Sequence, residues 1–236
     1  LSYKKIKEGE NWGQKWERAW FHLTGEEPKN WSGRQVATDL DFSGEGLVFD
    51  KEGVAIQGIT NGAIWDPNFA RTRVHFIDEC SGGEKIELWV EAAANSLFGV
   101  FTDPDPEEQS PKRHGWFDAK VEKMKFGIFD KDIWHLYLDA RILLGLVKHL
   151  DKKSVRRIRI IKSLNQCINA FAENRSNASA ARDCLKVELE KCASASDLKV
   201  SAIGHAHIDT GWLWPVRETI RKTARTFATQ LKIIDQ

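Results

Sequence analysis

The feature that most constrains what this chain can fold into is a change of hydrophobic period near residue 130. Before it, apolar residues come in short runs bounded by Gly, Pro, Asn and Asp. The runs Ala19–Leu23 and Gln35–Phe42 alternate, and further runs follow at Gly46–Asp50, Val54–Gly58, Arg73–Ile77 and Lys85–Ala94. Successive side chains of an extended chain point to opposite faces, so these runs predict half-buried strands at the spacing of a β-sandwich or jelly roll. Glu52-Gly53 falls between two runs and predicts a hairpin tip. The stretch Phe101–Gly115 carries three prolines and many charges and predicts a surface loop.

After residue 130 the spacing becomes helical, with Ile133, Leu136, Tyr137, Ala140, Leu143, Leu144, Val147 and Leu150 on one stripe. A second helix is expected from Ser154, capped by its hydroxyl, with Ile158, Ile161, Leu164, Ile168 and Phe171 as its apolar face. A third is expected from about Asn177 to Ala193, through Ala181, Leu185 and Leu189. The short apolar run Leu198–Gly204 then predicts a buried parallel strand. Beyond it Val216, Ile220, Ala224, Phe227, Ala228, Leu231 and Ile234 fit a helical face, with Pro215 near the first turn, where a missing N–H costs nothing. The expected architecture is therefore a jelly-roll-like β-sandwich over 1–127, a helical linker over 128–196, and the first βα unit of an α/β barrel-like domain over 197–236. One βα unit cannot bury its own faces, so the chain is expected to be part of a longer protein.

Composition narrows the partners. Net charge is +1, which implies no electrostatic attraction to nucleic acid or membrane. The basic run Lys152–Arg159 then reads as a solvated helix face. Four cysteines without a CxxC pair fit a reducing compartment. No signal peptide or membrane-length apolar run is visible, so a cytoplasmic or vacuolar location is expected, with the native N-terminus left open because the first residue is not Met. Ten Trp against two Tyr is unusual, and seven of the ten precede residue 117. Core packing is expected for most of them.

The chemistry concentrates in His205-Ala-His207-Ile-Asp209, followed by Trp212 and Trp214. Residues two apart on an extended segment point the same way, so His205, His207 and Asp209 can all face one side. Imidazole nitrogen and carboxylate oxygen suit zinc, and a catalytic zinc takes about three protein ligands with one position open. Trp212 could stack on a sugar ring, whereas Trp214 is expected in the core. Arg217 and Glu218 are expected to form an exposed ion pair near the helix start.

The stretch GHAHIDTGWLWPVRETIRKTARTFATQL, Gly204–Leu231, resembles the opening of the catalytic domain in glycoside hydrolase family 38 α-mannosidases, most closely the cytosolic or vacuolar branch. EGLVFDKEGVAIQGIT resembles that branch's ancillary β-domain, and DPDPE and DIWHLYLDARILLGLVKHL resemble the segment joining it to the helices. The resemblance implies that His207 and Asp209 bind a catalytic zinc, other divalent ions being compatible, and that His205 does not. It implies that Trp212 supports the mannose ring, in a barrel-like domain that cleaves mannose-containing oligosaccharides with retention through a carboxylate nucleophile and a carboxylic acid/base. Zinc would hold two sugar hydroxyls and favour a distorted ring. A homo-oligomer of the full-length enzyme is compatible with it.

Two other classes fit parts of the pattern. In an amidohydrolase-like hydrolase, His205 and His207 would be the ligands. In a non-catalytic sugar-binding or assembly module, the β-domain would carry the function. The family's nucleophile, acid/base and remaining zinc ligands are expected beyond Gln236, so the 236-residue chain alone should cleave no mannoside. Release of mannose above blank in an assay of the isolated chain would overturn that expectation.

Overall fold

The six apolar runs form β1 (Arg18–Glu26), β2 (Gln35–Asp41), β3 (Glu45–Phe49), β4 (Ala55–Thr60), β5 (Arg73–Ile77) and β6 (Lys85–Ala93). These come from a computed structural model that describes residues 3–62, 70–95, 119–192 and 198–235; the loop expected at Phe101–Gly115 lies outside them. A further strand, β7 (Lys123–Phe129), stands at a sheet edge with Phe126 and Ile128 partly exposed. That mixed exposure hides its alternation in the sequence.

The strands make two antiparallel sheets, ordered β1-β6-β3-β4 and β5-β2-β7. Alternation supplies each sheet's inner face. Phe21, Val36, Leu40, Phe42, Val48, Val74, Leu88 and Val90 meet between the sheets as one buried cluster. Phe21 and Phe42 stack with ring centroids 4.3 Å apart. The expected hairpin joins β3 to β4, and Gly53 at its tip has φ +82°, a conformation that costs glycine least. The tryptophans depart from expectation in part. Trp12 and Trp31 are half-buried and pack against the core cluster, whereas Trp16 and Trp89 are half-buried outside it and Trp20 is 54% exposed. The large indole packs its body at the rim while its N–H finds a partner; Trp12 Nε1 donates to the Phe42 carbonyl at 3.0 Å.

Asp130–Ile203 form a separate unit of three helices, α1 (Lys131–His149), α2 (Val155–Glu173) and α3 (Ala178–Leu189). Their shared core is Leu136, Leu143, Ile160, Leu164, Cys167, Ala178, Ala181 and Leu185. On α2 the buried stripe is rotated from the expected one: Ile160, Leu164 and Cys167 go inward, while Ile158 and Ile168 are exposed. Lys, Arg and Ile share that stretch closely enough that two neighbouring stripes are nearly equally apolar, and packing against α3 decides between them. Ser154 precedes α2 but makes no side-chain capping bond. Asp130 and Asn177 do cap, accepting from the Ile133 and Ala180 N–H groups at 3.0 and 3.2 Å. Among the described residues no helix is long and apolar enough to cross a membrane.

The end of the chain corrects two expectations. Leu198–Gly204 form no strand, and Leu198 and Ile203 are 93% and 87% exposed. A parallel strand needs parallel neighbours, and both sheets here are antiparallel. The final helix, α4 (Val216–Ile234), belongs to the same unit as the β-sandwich and turns all of its predicted face but Ala228 outward. Val216, Ile220, Phe227, Leu231 and Ile234 are exposed, whereas Glu218, Thr219, Lys222, Arg225 and Ala228 are buried. The helix lies on the outer side of the four-stranded sheet, closest at Gly58 of β4, whose N–H donates to Thr229 Oγ1 at 3.1 Å.

Gly58 sets how near the helix can come. A Cβ there would sit 2.8 Å from the Arg225 carbonyl oxygen and 2.9 Å from Thr229 Oγ1. Gly58→Ala should therefore destabilise the β unit by about 1–3 kcal/mol through overpacking, measured by urea unfolding. A variant as stable as the parent would show that α4 does not approach β4 this closely.

Candidate functional site

The segment His205–Pro215 leads into α4 without regular structure, and Pro215 takes the N-cap position in an extended conformation. At its exposed side His207 Nε2 and Asp209 Oδ1 lie 3.1 Å apart. Two ligand atoms, each about 2 Å from a tetrahedral ion, stand roughly 3.3 Å from each other. The pair thus fits one edge of a zinc site in both chemistry and separation. The His205 ring centroid is 6.2 Å from that of His207, the two planes tilted by 44°. Among the described residues no group of three or more His, Cys, Asp or Glu converges. The structure brings His207 and Asp209 together and shows no hydrogen bond joining His205 to them.

Trp212 presents its ring next to that pair in sequence and is 55% exposed. Trp214 is buried, as expected, and meets Trp212 edge to face at 5.6 Å and 85°. The turn between them closes through the Trp212 N–H, which donates to the Trp214 carbonyl at 3.1 Å. Thr219, one turn into α4, holds the segment from below. Its Oγ1 accepts from the Gly211 N–H at 3.0 Å and from Trp214 Nε1 at 3.2 Å. Gly211 has φ +79°, so its backbone reaches Thr219 in a conformation other residues adopt at a cost.

Beneath this segment lies a network of buried charge. Glu218 is fully buried, and its carboxylate accepts from Arg225 at 2.6 Å and from Arg18 of β1 at 2.9 Å. The exposed Arg217–Glu218 pair expected from sequence is thereby corrected: Glu218 faces the sheet, and two guanidiniums replace its water. Glu45 of β3 accepts from Lys222 at 2.5 Å, from Asn95 at 2.6 Å and from Arg225 at 3.3 Å. Glu91 of β6 accepts from Arg221 at 2.6 Å. Burial pushes the Glu218 carboxyl up, but the charges of Arg225 and Arg18 outweigh it and hold the group below the usual 4.5.

Arg18, Glu45, Glu91, Thr219, Lys222 and Arg225 are residues that sequence reasoning did not single out. A signal existed. Glu218, Lys222 and Arg225 recur at helical spacing on one stripe, Glu91 sits inside β6 between Val90 and Ala92, and Glu45 opens the otherwise uncharged β3. A lone carboxylate in such a run is costly unless a cation meets it.

Comparison with known proteins places both ends of the chain. The family described as "Alpha-mannosidase, jelly roll domain" matches residues 1–124, and "Glycosyl hydrolases family 38 N-terminal domain" matches residues 197–236. The whole chain is similar to Alpha-mannosidase G of Dictyostelium discoideum, at 32% identity over 237 residues and 21% of that protein's length. It is similar to Alpha-mannosidase 2C1 of Mus musculus at 29% identity, with 97% of this chain and 21% of the relative covered. Alpha-mannosidase of Saccharomyces cerevisiae is 25% identical over 100% of this chain and 22% of its own length. The chain thus spans about a fifth of the curated relatives it matches.

Removing one member of a buried ion pair strands its partners. Glu218→Gln should cost about 3–5 kcal/mol, read as a lowered denaturation midpoint of the β unit. The pH dependence follows from the lowered carboxyl pKa. Its stabilisation is complete above about 4.5, the unfolded value, and is lost as pH falls through the lower folded value. Acid unfolding of the parent should therefore steepen below about pH 4.5, and Glu218→Gln should remove part of that steepening. An unchanged acid profile would overturn the assignment.

Proposed function

Because this chain belongs to the glycoside hydrolase family 38 α-mannosidases, we propose that it forms the opening part of a zinc-dependent, retaining enzyme that removes terminal α-mannosides from oligosaccharides. The observation that carries this reading is the approach of His207 Nε2 to Asp209 Oδ1, at 3.1 Å, on the exposed stretch that also presents Trp212. His207 and Asp209 would be two of the zinc ligands. When bound, the ion would supply a fixed positive charge that holds and orients sugar hydroxyls.

Trp212 would offer its flat face to the apolar C–H face of the mannose ring, fixing the glycone's tilt and excluding water from that side. Asp209 would offer a carboxylate oxygen and His207 a ring nitrogen to the ion. The uncovered apolar stripe of α4 supports a barrel-like domain, since a helix whose stripe faces away from its own sheet needs another layer to cover it. All four cysteines are free, which supports a reducing compartment such as the cytoplasm.

Three variants of the full-length protein test the ligand assignment. His207→Ala and Asp209→Ala should each lower zinc affinity and mannosidase activity by roughly a hundred-fold or more, measured by metal analysis after dialysis and by turnover. His205→Ala should keep near-parent zinc. Loss of zinc from His205→Ala with retention in Asp209→Ala would favour the amidohydrolase-like arrangement instead.

A further inference from the structure

We propose that Glu45 and Lys222 are positioning residues for the sugar-facing wall, so that the β-sandwich sets the orientation of Trp212 from outside the site. The proposal rests on the reading of Trp212 as the mannose support. It adds a part for the β-domain in substrate recognition.

The coupling runs through a short series of directional contacts. Glu45 lies on β3, 177 positions from Lys222 in the chain, and accepts from its ammonium at 2.5 Å. Asn95, just past β6, donates to the same carboxylate oxygen at 2.6 Å and so fixes its orientation. The Lys222 nitrogen sits 4.6 Å from the centre of the Trp214 ring, within cation–π range. Trp214 is pinned at its other end by Thr219 and abuts Trp212 edge to face. Glu45 and Trp212 are thus three contacts apart, and both intermediate side chains, Lys222 and Trp214, are buried.

Two physical points make this a positioning device more than an adhesive. An apolar contact between α4 and the sheet would bind the helix while leaving it free to rotate or slide, because hydrophobic attraction has no direction. A buried ion pair adds little or no net stability over an apolar pair, but it specifies a register. Lys222 is the cation of this network that sits over the Trp214 ring. Arg221, its neighbour, pairs with Glu91 at a comparable 2.6 Å and donates to the Arg217 carbonyl at 3.0 Å.

The full-length enzyme and para-nitrophenyl α-mannoside provide the test, with zinc content measured for every variant. Glu45→Gln and Lys222→Met should each raise KM about ten-fold with kcat within about two-fold, because a displaced stacking face removes binding common to ground and transition states. Lys222→Arg, which keeps a cation within reach of both Glu45 and the ring, should restore most of the loss. Arg221→Met breaks an ion pair of the same interface and should leave KM within about two-fold. Equal KM changes in Arg221→Met and Lys222→Met would overturn the proposal in favour of simple docking, as would parent-like KM in Glu45→Gln. Thr219→Val stands in if Lys222→Met fails to fold: it frees Gly211 and Trp214 at nearly constant volume and should raise KM in the same way. Trp212→Ala separates the two levels. If it raises KM while Glu45→Gln, Lys222→Met and Thr219→Val do not, only the positioning proposal falls. If it leaves KM unchanged, the reading of Trp212 falls and takes the positioning proposal with it.

Discussion

Three carboxylates and four cations meet between α4 and the outer face of the four-stranded sheet, and the β unit depends on their mutual neutralisation. Glu45 and Glu91 come from the sheet, Glu218 from the helix; Arg18 comes from the sheet, and Arg221, Lys222 and Arg225 from the helix. No one of the buried charges is affordable alone, since an unpaired ion in a low-dielectric interior costs several kcal/mol. The pieces must therefore arrive together. That requirement ties a helix near residue 220 to strands near residues 18, 45 and 91 more specifically than apolar burial would.

The candidate site inherits its geometry from this junction. His207, Asp209 and Trp212 lie on a segment without strand or helix, which by itself would sample many conformations. It is held at its far end by Thr219 and Trp214, both on or beside α4. An irregular segment keeps one shape only where the element next to it is held in place, and α4 is held by an inward face that is ionic and directional. The uncovered apolar stripe on the other side of the same helix leaves it able to serve a second layer. One helix thus carries two unlike faces, one ionic and buried, one apolar and exposed.

The three-helix unit follows the simpler rule. Its core is aliphatic, with Leu143, Ile160, Ala181 and Leu185 almost fully buried. Polar contacts such as Arg182 with Asp139, at 2.8 Å, lie at the margin. Helical period alone located these helices, because three apolar stripes of similar strength can only face each other. Where the stripe was ambiguous, on α2, the period identified a helix and placed Leu164 and Phe171 correctly but put Ile158 and Ile168 inward in place of Ile160 and Cys167.

Sequence by itself determined the six strands before residue 94, the helices after residue 130, the hairpin at Gly53, and the clustering of His205, His207 and Asp209 beside Trp212. Those are local properties: alternation, helical spacing, a turn glycine and polar side chains two residues apart are all written within a few positions. Only the tertiary structure decided which side of α4 goes in, that Leu198–Gly204 remain outside any sheet, that Trp16, Trp20 and Trp89 lie outside the core cluster, and that Glu218 is buried. The stripes Val216–Ile220–Phe227 and Glu218–Lys222–Arg225 have the same period, and hydrophobicity alone ranks the first as the buried one. The choice is reversed by Glu45 and Glu91, more than a hundred residues away, whose buried charge requires the basic stripe to face them. Charge complementarity between distant segments is a property of the folded surface, and no window of sequence contains both halves of it.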